Sequence, residues 1–272
     1  MIPVTVMIMT LNEGARINAC LAALQGFDDI HVIDSGSQDD TASIATKSGA
    51  QVHDFRWDGR YPKKRQWCLD KLTIKHDWVL FIDADEIMTQ PLKSEITEFF
   101  ATGNDIECAG VLITGRYVLE GKLLRYGLAN RKIALLNKRK MTFPLVNDLD
   151  CPGMGEIEGH YQPVTISNQP HKIISFHNYL EHHANDDRAQ WLARHQRYAR
   201  WEACMNKQKA WPRDPVLWRQ WLKVVFRTMP CRGMIAFVHS YIVKRGFKMA
   251  CDRRLYYRMI SNANKGAAPS RA

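Results

Sequence analysis

Three carboxylates crowd the end of VLFIDADEIM, residues 79–88: Asp83, Asp85 and Glu86. Like charges this close repel unless a cation or a proton sits among them. If the strand persists, Asp83 and Asp85 at i and i+2 point the same way and can share one hard divalent cation through oxygen ligands. A cation held there would neutralise charge developing on a departing phosphate. The plain alternative is a solvated loop of acids after a buried strand. Two further polar clusters carry groups that can hydrogen-bond a base and a ribose: Thr10-Leu-Asn12-Glu13, and Asp34-Ser-Gly-Ser37 with Asp39 and Asp40 beyond it. Each is equally readable as a helix cap and tight turn. The basic run Lys63-Lys64-Arg65 could face phosphates or simply water, and HNYLEHH (His177, His182, His183) could hold a metal or be polar surface.

Positioning these groups requires a scaffold, and the first half of the chain supplies one. Val4–Met9 and Ile30–Asp34 are short apolar, β-branched runs that read as buried strands, and further strands are expected at Gln51–Phe55 and Trp78–Asp83. Between them, Glu13–Gln25 has helical spacing, with Ile17, Leu21 and Leu24 on one face and Asn12 as its cap. Helices are also expected at Thr41–Ser48, stopped by Gly49, and around Pro62–Leu72. Such alternation predicts an α/β fold, a mostly parallel sheet flanked by helices. Ligands of such sheets bind at the carboxyl ends of the strands. All three polar clusters fall there.

From about Gly110 to Phe176 the runs become β-prone, and after Asp186 the chain turns helical, basic and aromatic. Of 38 Lys/Arg and 28 Asp/Glu, 19 and 3 lie from Arg188 onward, a formal +16 that leaves the front at −6. An acidic body with a basic tail suggests chemistry in front and contact with something anionic behind. In VLWRQWLKVVFRT, Arg219, Lys223 and Arg227 form one stripe, with Trp218 and Trp221 among the residues on the other faces. The longest uncharged run of the tail, Gly233–Val243, has 11 residues, short of the roughly 20 a spanning helix needs. Seven cysteines without a CxxC pair argue against a disulfide framework or zinc site and for a reducing compartment. The N-terminus lacks the features of a secretory signal and reads as a first strand. Phosphate loops of the GxxxxGK[ST] or GxGxxG type, G-x-S-x-G elbows and HExxH motifs do not occur.

With these residues in view, VTVMIMTLNEGARINACLAAL, HVIDSGSQDDTASIATKSGAQV and DWVLFIDADE resemble, in order and spacing, glycosyltransferase family 2, inverting enzymes of GT-A (Rossmann-like) fold. The match spans roughly residues 1–120 and is most similar to the bacterial branch that builds lipopolysaccharide core or related surface glycans. The resemblance implies a GT-A catalytic domain over 1–185, with a nucleotide-sugar half (1–120) and an acceptor half (121–185), and a helical tail over 186–272. It implies that Thr10, Asn12, Glu13 and Asp34, with Ser37 in the same cluster, hold the uridine part of a UDP-sugar. Arg65 would lie near the diphosphate. Asp83 and Asp85 would bind Mg²⁺ or Mn²⁺, Asp85 more directly and Asp83 nearer the ribose, with Glu86 in support. His177 matches a further metal ligand. The base would be Glu156 in MGEIEGHYQP, although Gly155 before it departs from the pattern and leaves Glu158 or Asp148 open.

The implied reaction is metal-dependent, inverting transfer of a hexose to a lipid-linked glycan. It would run at the cytoplasmic face of a bacterial inner membrane, with the tail on anionic lipid and no nucleic-acid partner. Two rivals stand beside it. A DxD-type phosphohydrolase would use Asp83 as a nucleophile, and a non-catalytic membrane- or RNA-binding adaptor would keep all activity after Asp85→Ala.

Overall fold

The computed structural model describes residues 1–127, 129–158, 161–166, 171–183, 188–212, 217–229 and 231–266. The chain forms two compact units. The first comprises residues 1–124, 129–144 and 162–185. It opens with the expected alternation: β1 (Ile2–Thr10), α1 (Ile17–Ala22), β2 (Phe27–Asp34), α2 (Thr41–Lys47), β3 (Gln51–Asp54), α3 (Lys64–Lys71) and β4 (Trp78–Asp83). It continues with β5 (Glu86–Met88), α4 (Gln90–Ala101), β6 (Cys108–Leu119), β7 (Lys122–Leu123), β8 (Asn130–Asn137), β9 (Met141–Thr142), β10 (Val164–Thr165) and β11 (Lys172–His182).

The main sheet runs β3-β2-β1-β4-β8-β6-β11-β5, with β7 on β6. Strands β3, β2, β1 and β4 are mutually parallel. Val4, Val6, Met7 and Ile8 of central β1 are wholly buried, as a strand covered on both faces requires. Ile17, Leu21 and Leu24 form the buried stripe expected of the first helix. Asn12, however, does not cap it. The helix proper starts after Arg16, and Asn12 sits at φ 56°, the left-handed region that Asn tolerates in turns. Its carboxamide oxygen accepts the Gln38 N–H at 2.8 Å, so it ties two loops together instead.

Register does the positioning. Thr10 pairs with Asp34, and the neighbouring Met9 pairs with Asp83. The carboxyl ends of β1, β2 and β4 therefore finish in one row, about 4.8 Å apart per strand. On the other flank β5 runs antiparallel to β11, setting Glu86 opposite His182, while β6 sets Tyr117 opposite His182. Lys132 of β8 pairs with Ile113 of β6.

The second unit comprises residues 125–128, 145–161 and 186–272, so it holds more than the helical tail. Its helices are α5 (Arg188–Gln208), α6 (Leu217–Thr228), α7 (Arg232–Val238), a π-helical turn (His239–Val243) and α8 (Phe247–Gly266). Val146, Cys151, Met154 and Tyr161 join it because they bury against Trp201 and Met205 of α5. The Trp201 indole N–H donates to Asp148 at 3.1 Å. Gly153, at φ +123°, lies so close to α5 that a Cβ would meet the Arg197 carbonyl oxygen at 2.2 Å. Contrary to the cysteine-pattern expectation, Cys151 and Cys204 form a disulfide with Cα atoms 5.6 Å apart. The pair is 53 positions apart in sequence, and folding of the loop onto α5 brings it together. No helix among the described residues is long and apolar enough to cross a membrane.

Candidate active site

The first two clusters are knitted into one edge. Asp34 closes a tight turn: its carboxylate accepts the Gly36 N–H at 3.2 Å, the Ser37 N–H at 2.9 Å, the Thr10 hydroxyl at 3.0 Å and the Ser37 hydroxyl. Burial works to raise this carboxyl, but the bonds from Ser37, Thr10 and Gly36 hold it below its ordinary value. Four donors use the whole acceptor capacity of a carboxylate. In this arrangement Asp34 fixes the loop, and the groups it leaves at the rim are those of Asn12, Glu13 and Ser37. The Asn12 N–H donates to the Ser37 hydroxyl at 2.8 Å, and the Glu13 N–H to the Thr41 hydroxyl at 2.8 Å.

The basic run is not a solvated face. Lys63 and Lys64 are buried, and Lys64 Nζ reaches the Ser35 hydroxyl at 2.6 Å and the Thr10 carbonyl at 3.4 Å. Arg65 points to Asp83, at 3.7 Å. The third cluster is likewise no solvated loop. Strand β4 ends at Asp83, and the chain turns before β5 begins at Glu86, so the two aspartates face different neighbours. Lys132 Nζ lies 3.0 Å from Asp83 and 2.7 Å from Glu86. His182 Nε2 lies 3.3 Å from Asp85, and its ring leans on Tyr117 with centroids 4.7 Å apart. Glu86 is fully buried, and one of its oxygens also accepts the Asp83 N–H at 3.0 Å.

The electrostatics follow from this pairing. Burial alone would raise the Asp83 carboxyl, yet Lys132 and Arg65 hold it well below the carboxylate range. For Asp85 the same burial is outweighed chiefly by His182. Burial dominates at Glu86, raising it against the pull of Lys132. It also opposes charge on Lys132 and His182, but their carboxylate neighbours keep both above their ordinary values. Sequence reasoning missed Lys132: nothing local in RKIALLNK marks it, and only the β4–β8–β6 pairing delivers it.

The histidine set against Asp85 is His182 rather than His177, which lies elsewhere on β11 with its N–H on Glu95 at 2.8 Å. A register shift in β11 between Ser175 and Tyr179 separates the two stretches. Glu86 Oε1 and His182 Nδ1 are buried without hydrogen-bond partners among the described residues and lie 3.8 Å apart. That pair of orphans fits a metal-bound imidazole: Nε2 would take the cation with Asp85 while Nδ1–H turns to Glu86. No group of three His, Cys, Asp or Glu among the described residues is arranged to hold a metal, so a cation held by Asp85 and His182 would complete its shell with water or a bound substrate. The base candidates Glu156, Glu158 and Asp148 belong to the second unit. Glu158 and Asp148 are buried, and Glu156 is half-buried.

Residues 5–153 match the family model described as "Glycosyl transferase family 2". An uncharacterized glycosyltransferase of Rickettsia typhi is 33% identical over 52% of this chain and 48% of its own length. The lipopolysaccharide core biosynthesis glycosyltransferase LpsC of Rhizobium meliloti is 29% identical over 39% of this chain and 40% of its own. The chain thus spans about half or less of the curated relatives it matches. Among solved structures, glucosyl-3-phosphoglycerate synthase from Mycobacterium tuberculosis, in complex with Mn²⁺, UDP and glucosyl-3-phosphoglycerate, is 29% identical over 42% of this chain and 44% of that one, with a TM-score of 0.33.

Proposed function

The chain belongs to glycosyltransferase family 2, and from that premise we propose that it is a glycosyltransferase that moves a hexose from a UDP-sugar, with inversion, to a glycolipid or surface-polysaccharide acceptor such as lipopolysaccharide core. The observation that carries the reading is the single row of Thr10, Asp34 and Asp83 at the carboxyl ends of three adjacent parallel strands, with Asp85 just beyond it. Such an edge is where α/β sheets bind nucleotides.

In this proposal the rim groups of Asn12, Glu13 and Ser37, on the loop that Thr10 and Asp34 fix, receive the uridine, and Arg65 stands beside Asp83 to face the diphosphate. Mg²⁺ or Mn²⁺ would be held by Asp85 and His182, with Asp83 toward the ribose, and would supply positive charge to the leaving diphosphate. Glu156 takes the proton from the acceptor hydroxyl as that oxygen attacks the anomeric carbon. It is more open than buried Glu158 and than Asp148, which serves Trp201. One displacement inverts the centre, so no second nucleophilic carboxylate is required. The phosphohydrolase reading is less well served, because its nucleophile Asp83 is already engaged by Lys132 and Arg65. The lipopolysaccharide assignment of the Rhizobium relative and the basic second unit support a lipid-linked acceptor and a peripheral position on the cytoplasmic face of the inner membrane.

The test is calorimetry of the purified chain with UDP, UDP-hexoses, GDP and ADP, with and without Mn²⁺. Uridine nucleotides should bind, more tightly with the metal, and Asp85→Asn should abolish the metal's contribution. If no uridine nucleotide binds with or without metal, the proposal fails.

A further inference from the structure

Two helical faces of the second unit are apolar where they should be polar. In α6, Trp218, Trp221, Leu222 and Val225 recur at i, i+3, i+4 and i+7, the spacing that normally faces a core. Yet Trp218 and Trp221 are each 64% exposed and Leu222 is 47% exposed. Arg219 and Lys223 occupy the opposite side, also exposed, and Arg227 lies over the Trp211 ring at 4.0 Å.

From α7 into the π-helical turn the pattern repeats. Arg232, Ala236 and Ser240, four apart, are buried, with Arg232 near Glu202 at 3.4 Å. Met234, Ile235, Val238, Tyr241 and Ile242 form the opposite, exposed stripe. Val243 and Phe247 extend it, 66% and 58% exposed. The helix is therefore amphipathic with both faces accounted for: small and charge-paired groups inside, aliphatic groups outside. Contiguous exposed apolar surface of this kind marks a docking face.

The charge around these stripes selects the occupant. Between Asp214 and Asp252 the sequence has no acidic residue, and it carries seven Lys/Arg. Lys244 and Arg245 stand exposed directly after Ile242 and Val243. A second copy of the chain would bring like charges together. Nucleic acid would suit the charge, but its recognition uses aromatic stacking and base edges, not a stripe of Ile, Val and Met. An anionic bilayer surface satisfies both features, taking aliphatic groups into the acyl boundary, Trp at headgroup level and Lys/Arg on its phosphates.

We propose that α6 and the α7–π-turn segment together form a two-part membrane-docking face for anionic lipid, with Ile235, Val238 and Ile242 as the inserting aliphatic row and Trp218 and Trp221 as interfacial anchors. This extends the peripheral-membrane reading above and does not depend on the transfer chemistry.

The test is vesicle flotation of the intact chain on phosphatidylethanolamine/phosphatidylglycerol and on phosphatidylcholine. Binding should require the anionic lipid and weaken at high salt. Ile235→Ser/Ile242→Ser and Trp218→Ser/Trp221→Ser should each weaken partitioning by at least ~10-fold, with melting temperature and UDP affinity unchanged. Asp85→Asn should float like the wild type, which separates failure of this face from failure of the catalytic reading. The proposal is overturned if the wild type does not float on anionic vesicles or if the serine variants float undiminished. It is equally overturned if those variants instead abolish a dimer in sedimentation or binding to a short RNA.

Discussion

Replacing Lys132 by methionine isolates the contribution of the buried cation at the site. The substitution keeps the length of the side chain and removes the ammonium that lies 3.0 Å from Asp83 and 2.7 Å from Glu86. Breaking a buried ion pair by deleting one partner costs about 3–5 kcal/mol. Asp83 carries little of that, because its side chain is 35% exposed and Arg65 remains 3.7 Å away. The penalty falls on Glu86, which is fully buried. Glu86 can escape it by taking up a proton. Protonation from the ordinary glutamate value, about 4.3, costs about 1.4 kcal/mol per pH unit, which caps the loss at roughly 3.5 kcal/mol at pH 7 and about 1 kcal/mol at pH 5. The sign follows from linkage. A carboxyl raised in the folded state binds its proton more tightly there than in the unfolded chain, so stability falls as pH rises from the unfolded value through the folded one. Urea unfolding of wild type and Lys132→Met at both pH values reads this directly, and adding Glu86→Gln should restore most of the loss at pH 7. A destabilisation equal at pH 5 and pH 7, or below about 1 kcal/mol at pH 7, would refute the assignment of Lys132 as the counter-ion of Glu86.

Asp85→Asn should lower transfer from a UDP-sugar by at least about 100-fold without moving the melting temperature, measured by product formation beside a thermal scan. Gly153→Ala should cost about 2–4 kcal/mol in urea unfolding, because the new Cβ meets the Arg197 carbonyl at 2.2 Å and the backbone is at φ +123°. Cys151→Ser/Cys204→Ser should remove up to about 4 kcal/mol for a loop of this size, and alkylation in denaturant before reduction should label Cys20, Cys68 and Cys108 but not Cys151 and Cys204.

The edge formed by the carboxyl ends of β1, β2 and β4 was readable because its signals are local. β1 and β4 are nearly continuous apolar runs, and β2 becomes one toward its end at Ile30–Asp34; each finishes in its own polar residue. Parallel pairing of buried strands then leaves little choice of register: Thr10, Asp34 and Asp83 must finish together. What escaped the sequence depends on pairings between distant, less distinctive runs. Lys132 lies 49 positions from Asp83, on a strand whose partner is chosen by the whole sheet. His182 was visible within HNYLEHH, but the irregularity in β11 decides which histidine of that stretch reaches Asp85. The cysteines misled for a related reason. Spacing rules detect metal clips and compact frameworks, whereas Cys151 and Cys204 meet because a loop packs on a helix through Trp201 and Asp148.

The crowding of Asp83, Asp85 and Glu86 therefore has a different explanation from simple mutual repulsion awaiting an ion. The turn after Asp83 splits the three acids into two settings. Asp83 and Glu86 share Lys132, with Arg65 beside Asp83, so this pair is compensated by the protein's own charge. Among the described residues, the ion-pair partner of Asp85 is the titratable imidazole of His182, with the charge of Arg16 acting on it from farther off. Under the proposed function a divalent cation at Asp85 and His182 would add positive charge to a site whose other acids are already balanced. It would thus be available to a diphosphate instead of being consumed by the protein's carboxylates. The buried Lys132 is what makes that possible: it holds Asp83 ionised at the carboxyl end of β4 and keeps the charge there paired.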